Sequence, residues 1–151
     1  MEQNTKTITL YTIGFTKKNA EEFFSLLKAN KIKTLIDVRL NNVSQLAGFT
    51  KKDDLKYFLK EICSIEYVYE PAFAPTKEIL DAYKKKNILW FQYEEDYKLL
   101  LKQRGAEHLI KDKDLDMTCL LCGEPTAENC HRRLLAEYLR DKKNNITIKH
   151  L

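Results

Sequence analysis

Glycine and proline are scarce in this sequence, with four glycines and three prolines among 151 residues. Such a composition excludes a collagen-like repeat, a low-complexity segment and a long flexible linker. No apolar run approaches the roughly 18 residues that a membrane-spanning helix requires, so we expect no membrane association. The opening stretch MEQNTKTITLYTIG also lacks the basic and apolar regions of a secretion signal, and we therefore expect a cytoplasmic protein.

Several well-marked functional motifs are also absent. The chain has neither a G-x-x-x-x-G-K-S/T loop nor a G-x-G-x-x-G loop, which bind nucleotide phosphates and dinucleotides. It contains no H-E-x-x-H and no G-x-S-x-G sequence. None of its cysteines is followed six positions later by the arginine of a cysteine-phosphatase loop. The sequence therefore identifies no cofactor.

Length and charge are those of an ordinary globular domain. A chain of 151 residues can bury one hydrophobic core, and we expect a single α/β domain over residues 1–151. The 26 basic and 22 acidic residues are mostly interspersed, so the net charge of +4 indicates a solvated surface more than a nucleic-acid-binding patch. Four cysteines without a secretion signal indicate reduced thiols.

Segments rich in β-branched residues alternate along the chain with amphipathic segments. The predicted strands are residues 7–13, 33–38, 65–69, 117–122 and 146–150. The predicted helices are residues 20–29, 52–62, 76–85, 87–104 and 129–142, and residues 105–115 are left open between helix and loop. Asn129 or Thr126 would cap the last helix, and the helices 76–85 and 87–104 are interpreted as packing helices. This order predicts a mostly parallel, doubly wound, Rossmann-like sheet of about five strands with helices on both faces.

In an open parallel sheet, ligands bind outside the carboxyl ends of the strands. Polar or small residues follow the first, second and fourth predicted strands, namely Gly14 and Thr16, Asp37 and Arg39, and Cys122 and Glu124. Because side chains alternate along a strand, Asp37 and Arg39 should lie on the same side. We expect these residues to converge on one site.

Chemically reactive side chains are densest in residues 117–133, MTCLLCGEPTAENCHRR. This segment predicts a strand, a turn and the start of a helix that carries Cys130, His131 and Arg132. A helix start has free N–H donors and a partial positive charge, which favour a bound anion and lower the pKa of a nearby thiol. Apolar residues lie three, four and seven positions after His131, so we expect its ring to point towards the sheet.

Arg39 and Arg132 are interpreted as the residues that bind an anion, by forked hydrogen bonds. Gly14 and Thr16 are the other predicted ligand-binding residues. Two arginines close together would be costly without an anion between them. In the structural alternative, Asp37 and Arg39 pair with each other or with Arg132 and hold two loops together.

His131 is the predicted acid or base, and Glu124 or Asp37 would orient its ring or serve as the base. Cys122 or Cys130 would be a thiolate nucleophile assisted by His131. The structural alternative is a histidine satisfied within the core.

The sulfur-bearing residues also admit a zinc site made of Cys119, Cys122, Cys130 and His131. Positions 119 and 122 differ by an odd number, however, so an extended strand would send their side chains to opposite faces. We therefore predict no metal ligands, and interpret Cys119 and Cys63 as core residues.

Three segments resemble the signature blocks of the domain of unknown function 488 family. They are residues 11–14 (YTIG), residues 35–39 (LIDVR), and residues 120–124 (LLCGE) followed by residues 130–132 (CHR). The chain departs from that family pattern at Phe15, where histidine is usual, and in residues 40–44, which lack the usual proline. These departures leave the role of the loop after the first strand open.

The resemblance implies a compact bacterial or archaeal cytoplasmic α/β domain with no established reaction. It also implies that seven site residues match the family: Asp37, Arg39, Cys122, Glu124, Cys130, His131 and Arg132.

Three functions follow as hypotheses. The first is a small enzyme, or degenerate enzyme, that binds a phosphate-bearing ligand such as a nucleotide or the end of a nucleic acid. The second is a non-catalytic nucleic-acid-binding or regulatory module, since aromatic residues stand next to lysines in residues 56–58 (KYF) and 83–86 (YKKK). The third is a zinc-binding structural protein.

Overall fold

The computed structural model describes residues 6–43, 48–124 and 127–151. In these residues the chain forms the strands β1 (Ile8–Gly14), β2 (Thr34–Asp37), β3 (Glu66–Tyr69), β4 (Thr118–Cys122) and β5 (Ile146–His150). The α-helices are α1 (Ala20–Ala29), α2 (Lys52–Phe58), α3 (Lys77–Lys84), α4 (Trp90–Arg104), α5 (Asp112–Leu115) and α6 (His131–Lys142). The predicted strands and helices are therefore present in order, with bounds within a few residues of the prediction.

All pairings between these strands are parallel, and their order across the sheet is β3-β2-β4-β1-β5. Apolar residues of α1 and α2, including Phe23 and Leu55, cover one face of the sheet. Those of α4 and α6, including Tyr97 and Leu135, cover the other face. The predicted α/β, doubly wound, Rossmann-like fold is confirmed, and every strand of the described sheet is parallel. None of the helices in the described ranges is long and apolar enough to cross a membrane.

The central strand is β4, because β2 and β1 flank it on either side. All of its residues, TCLLC, are buried, as expected for a parallel strand that has helices on both faces. Alternation along the strand sends Cys119 and Leu121 towards α1 and α2, and Leu120 and Cys122 towards α4 and α6. The thiol at the carboxyl end of β4 therefore faces α4 and α6.

The segments after α2 and after α4 adopt helical forms that the periodicity did not specify. Helix α2 is shorter than predicted and continues as a π-helical turn over Leu59–Cys63. Helix α4 ends at Gly105, which has a left-handed φ of 60° that glycine adopts without strain. The residues that follow form a short 3-10 helix, Ala106–His108, and then α5.

The last helix begins later than predicted. Its cap is Cys130, which has the extended φ of −134° typical of a cap, in place of the exposed Asn129. The other predicted cap, Thr126, lies outside the described residues. Cys130 makes no side-chain hydrogen bond to the first turn of the helix. The start of α6 therefore has no side chain that neutralises its partial positive charge from the cap position.

The chain leaves β1 and β2 towards α1 and α2, whereas it leaves β4 towards α6 on the opposite face. Because β4 lies between β1 and β2, the outgoing chain diverges on both sides of β4. A crevice forms where neighbouring strands send the chain to opposite faces of a sheet. The loops after β1, β2 and β4 consequently meet at the carboxyl end of β4.

The loops that follow β1 and β4 are in close contact. The backbone N–H of Thr16 donates a hydrogen bond to the carbonyl oxygen of Gly123 at 3.1 Å. A Cβ atom on Gly14 would lie 1.6 Å from the carbonyl oxygen of Glu124 and 3.0 Å from Nη1 of Arg132. The backbone of the second loop therefore occupies the space that any other side chain at position 14 would need.

We expect Gly14→Ala to destabilise the protein by about 2 kcal/mol or more, because the added methyl group forces the two loops apart. Urea unfolding of the variant and the wild type measures this loss. Gly48→Ala is the matched control, since a Cβ there meets nothing within 4 Å, and it should stay within about 0.5 kcal/mol of the wild type. Equal midpoints for the two variants would contradict the close approach of the loops.

Candidate functional site

A cleft of about 320 Å³ opens at the carboxyl ends of β1, β2 and β4. Its lining includes six of the predicted site residues, namely Thr16, Arg39, Cys122, Glu124, Cys130 and His131. A larger hollow of about 870 Å³ lies near the amino ends of β1, β2 and β3, but none of the residues that line it carries a thiol or an imidazole. The reactive side chains therefore belong to the smaller cleft, with Gly14, Asp37 and Arg132 behind its lining.

Asp37 and Arg39 form a buried ion pair at the end of β2. Nε of Arg39 donates to Oδ1 of Asp37 and Nη2 donates to Oδ2, both at 2.8 Å, and the backbone N–H of Arg39 donates to Oδ1 at 3.1 Å. Nη2 also donates to the carbonyl oxygen of Thr50 at 2.7 Å. Asp37 is fully buried, and its partner is Arg39, not Arg132. This geometry is that of the structural alternative, in which the pair holds two loops together.

The Asp37 carboxylate also accepts a hydrogen bond from the hydroxyl of Tyr67, 2.5 Å from Oδ2. Burial and this hydrogen bond raise the pKa of Tyr67, so the hydroxyl keeps its proton and remains a donor. The Asp37 carboxylate thus accepts three hydrogen bonds from Arg39 and one from Tyr67, which together occupy the acceptor positions of its two oxygens.

The Arg39 side chain also borders the cleft. Nη1 has no hydrogen-bond partner among the described residues, and the side chain lines the cleft. Its guanidinium carbon lies 5.4 Å from the centre of the Phe15 ring. Phe15 stands where the resembled family usually has histidine, and here it contributes a cation–π contact that supports the arginine.

Cys122 and His131 contact each other in the wall of the cleft. Nδ1 of His131 lies 3.3 Å from Sγ of Cys122, and Nε2 lies 2.7 Å from the carbonyl oxygen of Val38. Because a carbonyl oxygen only accepts, we assign the ring proton to Nε2, which leaves the lone pair of Nδ1 facing the sulfur. The expectation that Asp37 or Glu124 orients the ring is corrected, since the Asp37 carboxylate is saturated and Glu124 is exposed.

The two thiols of the cleft have opposite pKa shifts. Burial raises the pKa of Cys122, but the Cys130 thiol, the backbone N–H groups of Gly123 and Glu124, and the charge of Arg132 outweigh burial and lower that pKa from its ordinary value. Burial and the hydrogen bond that it donates to Cys122 raise the pKa of Cys130 well above the ordinary value. These shifts favour the thiolate form at Cys122 over the thiolate form at Cys130.

Arg132, whose charge acts on Cys122, is fully buried. It has no carboxylate partner among the described residues. Its Nε donates to the Thr12 hydroxyl at 3.2 Å, and its Nη1 donates to the carbonyl oxygen of Glu124 at 2.8 Å. Its Nη2 is buried without a hydrogen-bond partner in the described part of the chain. A buried charge is costly when it lacks a counter-charge, so Arg132 favours a negative group nearby.

Arg132 does not line the cleft, in contrast to Arg39, so the two arginines are not placed to bind one ligand from the same wall. On its other side, Arg132 faces His150, whose Nδ1 lies 2.6 Å from the Thr12 hydroxyl that Arg132 also contacts. Burial and the charge of Arg132 lower the pKa of His150. The lowered pKa favours the neutral form of His150 beside the charge of Arg132.

An aromatic wall, which we define as Tyr83, Trp90 and Tyr93, closes one side of the cleft. The rings of Trp90 and Tyr93 are stacked with centres 4.8 Å apart, and the Tyr83 ring lies 5.4 Å from that of Trp90. Behind the wall, Tyr97 contacts the His131 ring edge-on at 5.5 Å. The interpretation of α3 and α4 as packing helices is therefore incomplete. Helical spacing reveals a buried face but does not show where that face borders an opening.

Three residues could hold a metal ion: the ligand atoms of Cys122, Cys130 and His131 all lie within 4.8 Å of one another. Such a group of thiols and imidazole suits a soft ion such as zinc. Cys119 is not part of it, because Cys119 is fully buried on the opposite face of the sheet. The four-ligand zinc site considered from the sequence is thus not assembled, as the odd spacing of positions 119 and 122 predicted.

A family model described as "Domain of unknown function DUF488" matches residues 19–139, which is most of the chain. This match confirms the resemblance to the family, and it includes the second and third sequence blocks, whereas residues 11–14 lie outside the matched range. No curated protein and no solved structure matches the chain.

We expect Asp37→Ala to destabilise the protein by about 3–5 kcal/mol, because it leaves the buried charge of Arg39 without its partner. Tyr67→Phe is the matched control: it removes one hydrogen bond to the same carboxylate and should cost about 1.5–3 kcal/mol. Denaturant unfolding measures both. An Asp37→Ala variant more stable than Tyr67→Phe would contradict the role of this ion pair.

Proposed function

The chain belongs to the DUF488 family, and we propose that it is an enzyme in which Cys122 attacks a phosphate-bearing ligand, such as a nucleotide or the end of a nucleic acid. The observation that carries the proposal is the 3.3 Å contact between Sγ of Cys122 and Nδ1 of His131, in a cleft that also presents the free edge of Arg39. A thiol beside a base, in a pocket open to a ligand, is the usual arrangement of a cysteine nucleophile.

His131 acts as the acid and base of the reaction. The Val38 carbonyl holds the proton on Nε2, so Nδ1 is free to accept the proton of Cys122. The imidazolium that results can return this proton to a leaving group. Glu124 lines the cleft with an exposed side chain, and can serve as a second base for an incoming water.

Arg132 supports the thiolate from behind the cleft wall. Its charge is buried without a carboxylate partner among the described residues, and it acts to lower the pKa of Cys122. The thiolate in turn supplies a negative charge near Arg132. The start of α6, which follows Cys130, adds a partial positive charge that also favours the thiolate form of Cys122.

The cleft offers separate contacts for a phosphate and for a planar ring. Nη1 of Arg39 is without a partner in the described residues, and Lys84 also lines the cleft, so both cations are available to a phosphate. Tyr83 and Trp90 present aromatic surfaces on which a nucleobase can stack. This pairing of cations with aromatic rings favours a nucleotide, or a nucleotide at the end of a strand, over inorganic phosphate.

We expect iodoacetamide to alkylate Cys122 faster than Cys63 at pH 7, by about tenfold or more, because only thiolates react. The pKa of Cys122 is lowered from 9.0 and that of Cys63 is raised from it by burial, so the rate should reach half its maximum below pH 9.0 for Cys122 and above it for Cys63. Peptide mass spectrometry over a pH series measures both rates in one sample.

His131→Ala should slow the alkylation of Cys122 at pH 7, and His108→Ala, which changes an exposed histidine, should not. Equal rates for Cys122 and Cys63 would count against the thiolate. Purified protein that contains one equivalent of zinc, and in which iodoacetamide does not modify Cys122, would also count against the thiolate.

Nucleoside monophosphates at about 100 times their dissociation constant should stabilise the protein by about 2.7 kcal/mol, a rise of about 5–11 °C in the melting temperature. Trp90→Ala should reduce this rise, since it removes a stacking surface. Phe91→Ala is the matched control, because its neighbouring ring is 71% exposed and does not line the cleft. The unphosphorylated nucleoside and inorganic phosphate test the two halves of the ligand separately. An absence of any shift across nucleotides and 5′-phosphorylated oligonucleotides would contradict the proposed ligand class.

A further inference from the structure

We propose that Cys122 and Cys130 form a reversible redox pair, in which a hydroperoxide oxidises Cys122 and Cys130 then closes a disulfide across the wall of the cleft. This inference rests on the reactive Cys122 of the proposed function, and adds a second thiol to which that function gives no part.

The positions of the two sulfurs carry the inference. Cys122 ends β4 and Cys130 caps α6, and both side chains line the cleft. Their sulfur atoms lie within 4.8 Å of each other. A disulfide requires a sulfur–sulfur distance of about 2.05 Å, so the closing movement is small and is shared between two side chains.

The two thiols also differ in their surroundings. Sγ of Cys122 lies 3.3 Å from Nδ1 of His131, so the base stands beside Cys122, which is the thiol that attacks a peroxide. Once Cys122 has become a sulfenic acid, His131 can accept the proton of Cys130, because the ligand atoms of all three residues lie within 4.8 Å of one another.

The other two cysteines are placed away from this pair. Cys119 is fully buried on the α1 and α2 face of the sheet. Cys63 lies on the same face, where its thiol contacts the carbonyl oxygen of Phe24 at 3.8 Å. Neither thiol can therefore replace Cys130 as the partner of Cys122 within one molecule.

The steps balance as follows. The Cys122 thiolate attacks one oxygen of a hydroperoxide, the O–O bond breaks, and the departing alkoxide takes a proton from the histidine or water, which gives an alcohol and the sulfenic acid Cys122–SOH. The sulfur of Cys130 then attacks the sulfur of Cys122, an S–S bond forms, and the hydroxyl leaves as water with the proton of Cys130. Two thiols are oxidised and one peroxide is reduced. A small dithiol reverses the reaction by thiol–disulfide exchange.

The test treats the ligand-free wild-type chain with one equivalent of hydrogen peroxide, blocks the remaining thiols with iodoacetamide, and locates the cysteines by mass spectrometry. We expect a loss of two of the four free thiols and a mass decrease of about 2 Da, reversed by dithiothreitol. Trypsin leaves three of the cysteines in the peptide of residues 114–132, and cleavage after Glu128 separates Cys122 from Cys130 unless they are bonded.

Two variants locate the reaction. Cys130→Ser should stop at a sulfenic acid on Cys122 that dimedone traps, and should then proceed to the sulfinic acid with excess peroxide. Cys63→Ser is the matched control and should form the disulfide as the wild type does. Because the wild-type mapping needs no substitution, the test does not depend on how well a variant folds.

Two results would overturn the inference. The first is a Cys122 that passes directly to sulfinic acid in the wild type although Cys130 is intact, and the second is a disulfide that joins Cys122 of one chain to Cys63 of another. In both cases Cys122 still reacts, so the proposed function would stand. A Cys122 that neither peroxide nor iodoacetamide modifies would remove the proposed function together with this inference.

Discussion

The buried charge of Arg132 is the constraint on which the architecture of the cleft depends. Its guanidinium has no carboxylate partner in the described structure and relies on neutral acceptors, the Thr12 hydroxyl and the Glu124 carbonyl. The second of these contacts draws the loop after β4 onto Gly14, where a Cβ atom has no room. The unbalanced charge also acts on Cys122, whose thiolate form it favours. One residue thus links the packing of two loops to the reactivity of the thiol between them.

The second arginine of the site is held in the opposite way. Arg39 is neutralised by Asp37 through paired hydrogen bonds, and Tyr67 completes the shell of the carboxylate. A buried ion pair contributes little net stability because both charges lose their hydration, but it fixes geometry well. Here it holds Arg39 in the lining of the cleft. The two arginines are therefore held differently, Arg39 in an ion pair and Arg132 by neutral acceptors.

Particular residues show how far sequence reasoning reached. The bounds of α1 and β5, the end of α4 at Gly105 and the shared side of Asp37 and Arg39 were all predictable, because each follows from local periodicity, turn chemistry or the alternation of a strand. The convergence of the loops after β1, β2 and β4 followed from topology. The cap of α6 was not predictable, because Cys130 occupies that position through its backbone geometry and without a side-chain hydrogen bond.

By itself, the sequence determined the α/β class, the order of the elements and the edge of the sheet at which the reactive side chains gather. These features obey rules that act over a few residues or on the order of strands and helices. The tertiary structure alone decided which groups touch. The carbonyl oxygen that orients His131 belongs to Val38, 93 positions away in the chain, and the aromatic wall comes from helices whose spacing reads as ordinary packing. Periodicity indicates that a side chain is buried, but its partner is set by the distances between segments that only the folded chain brings together.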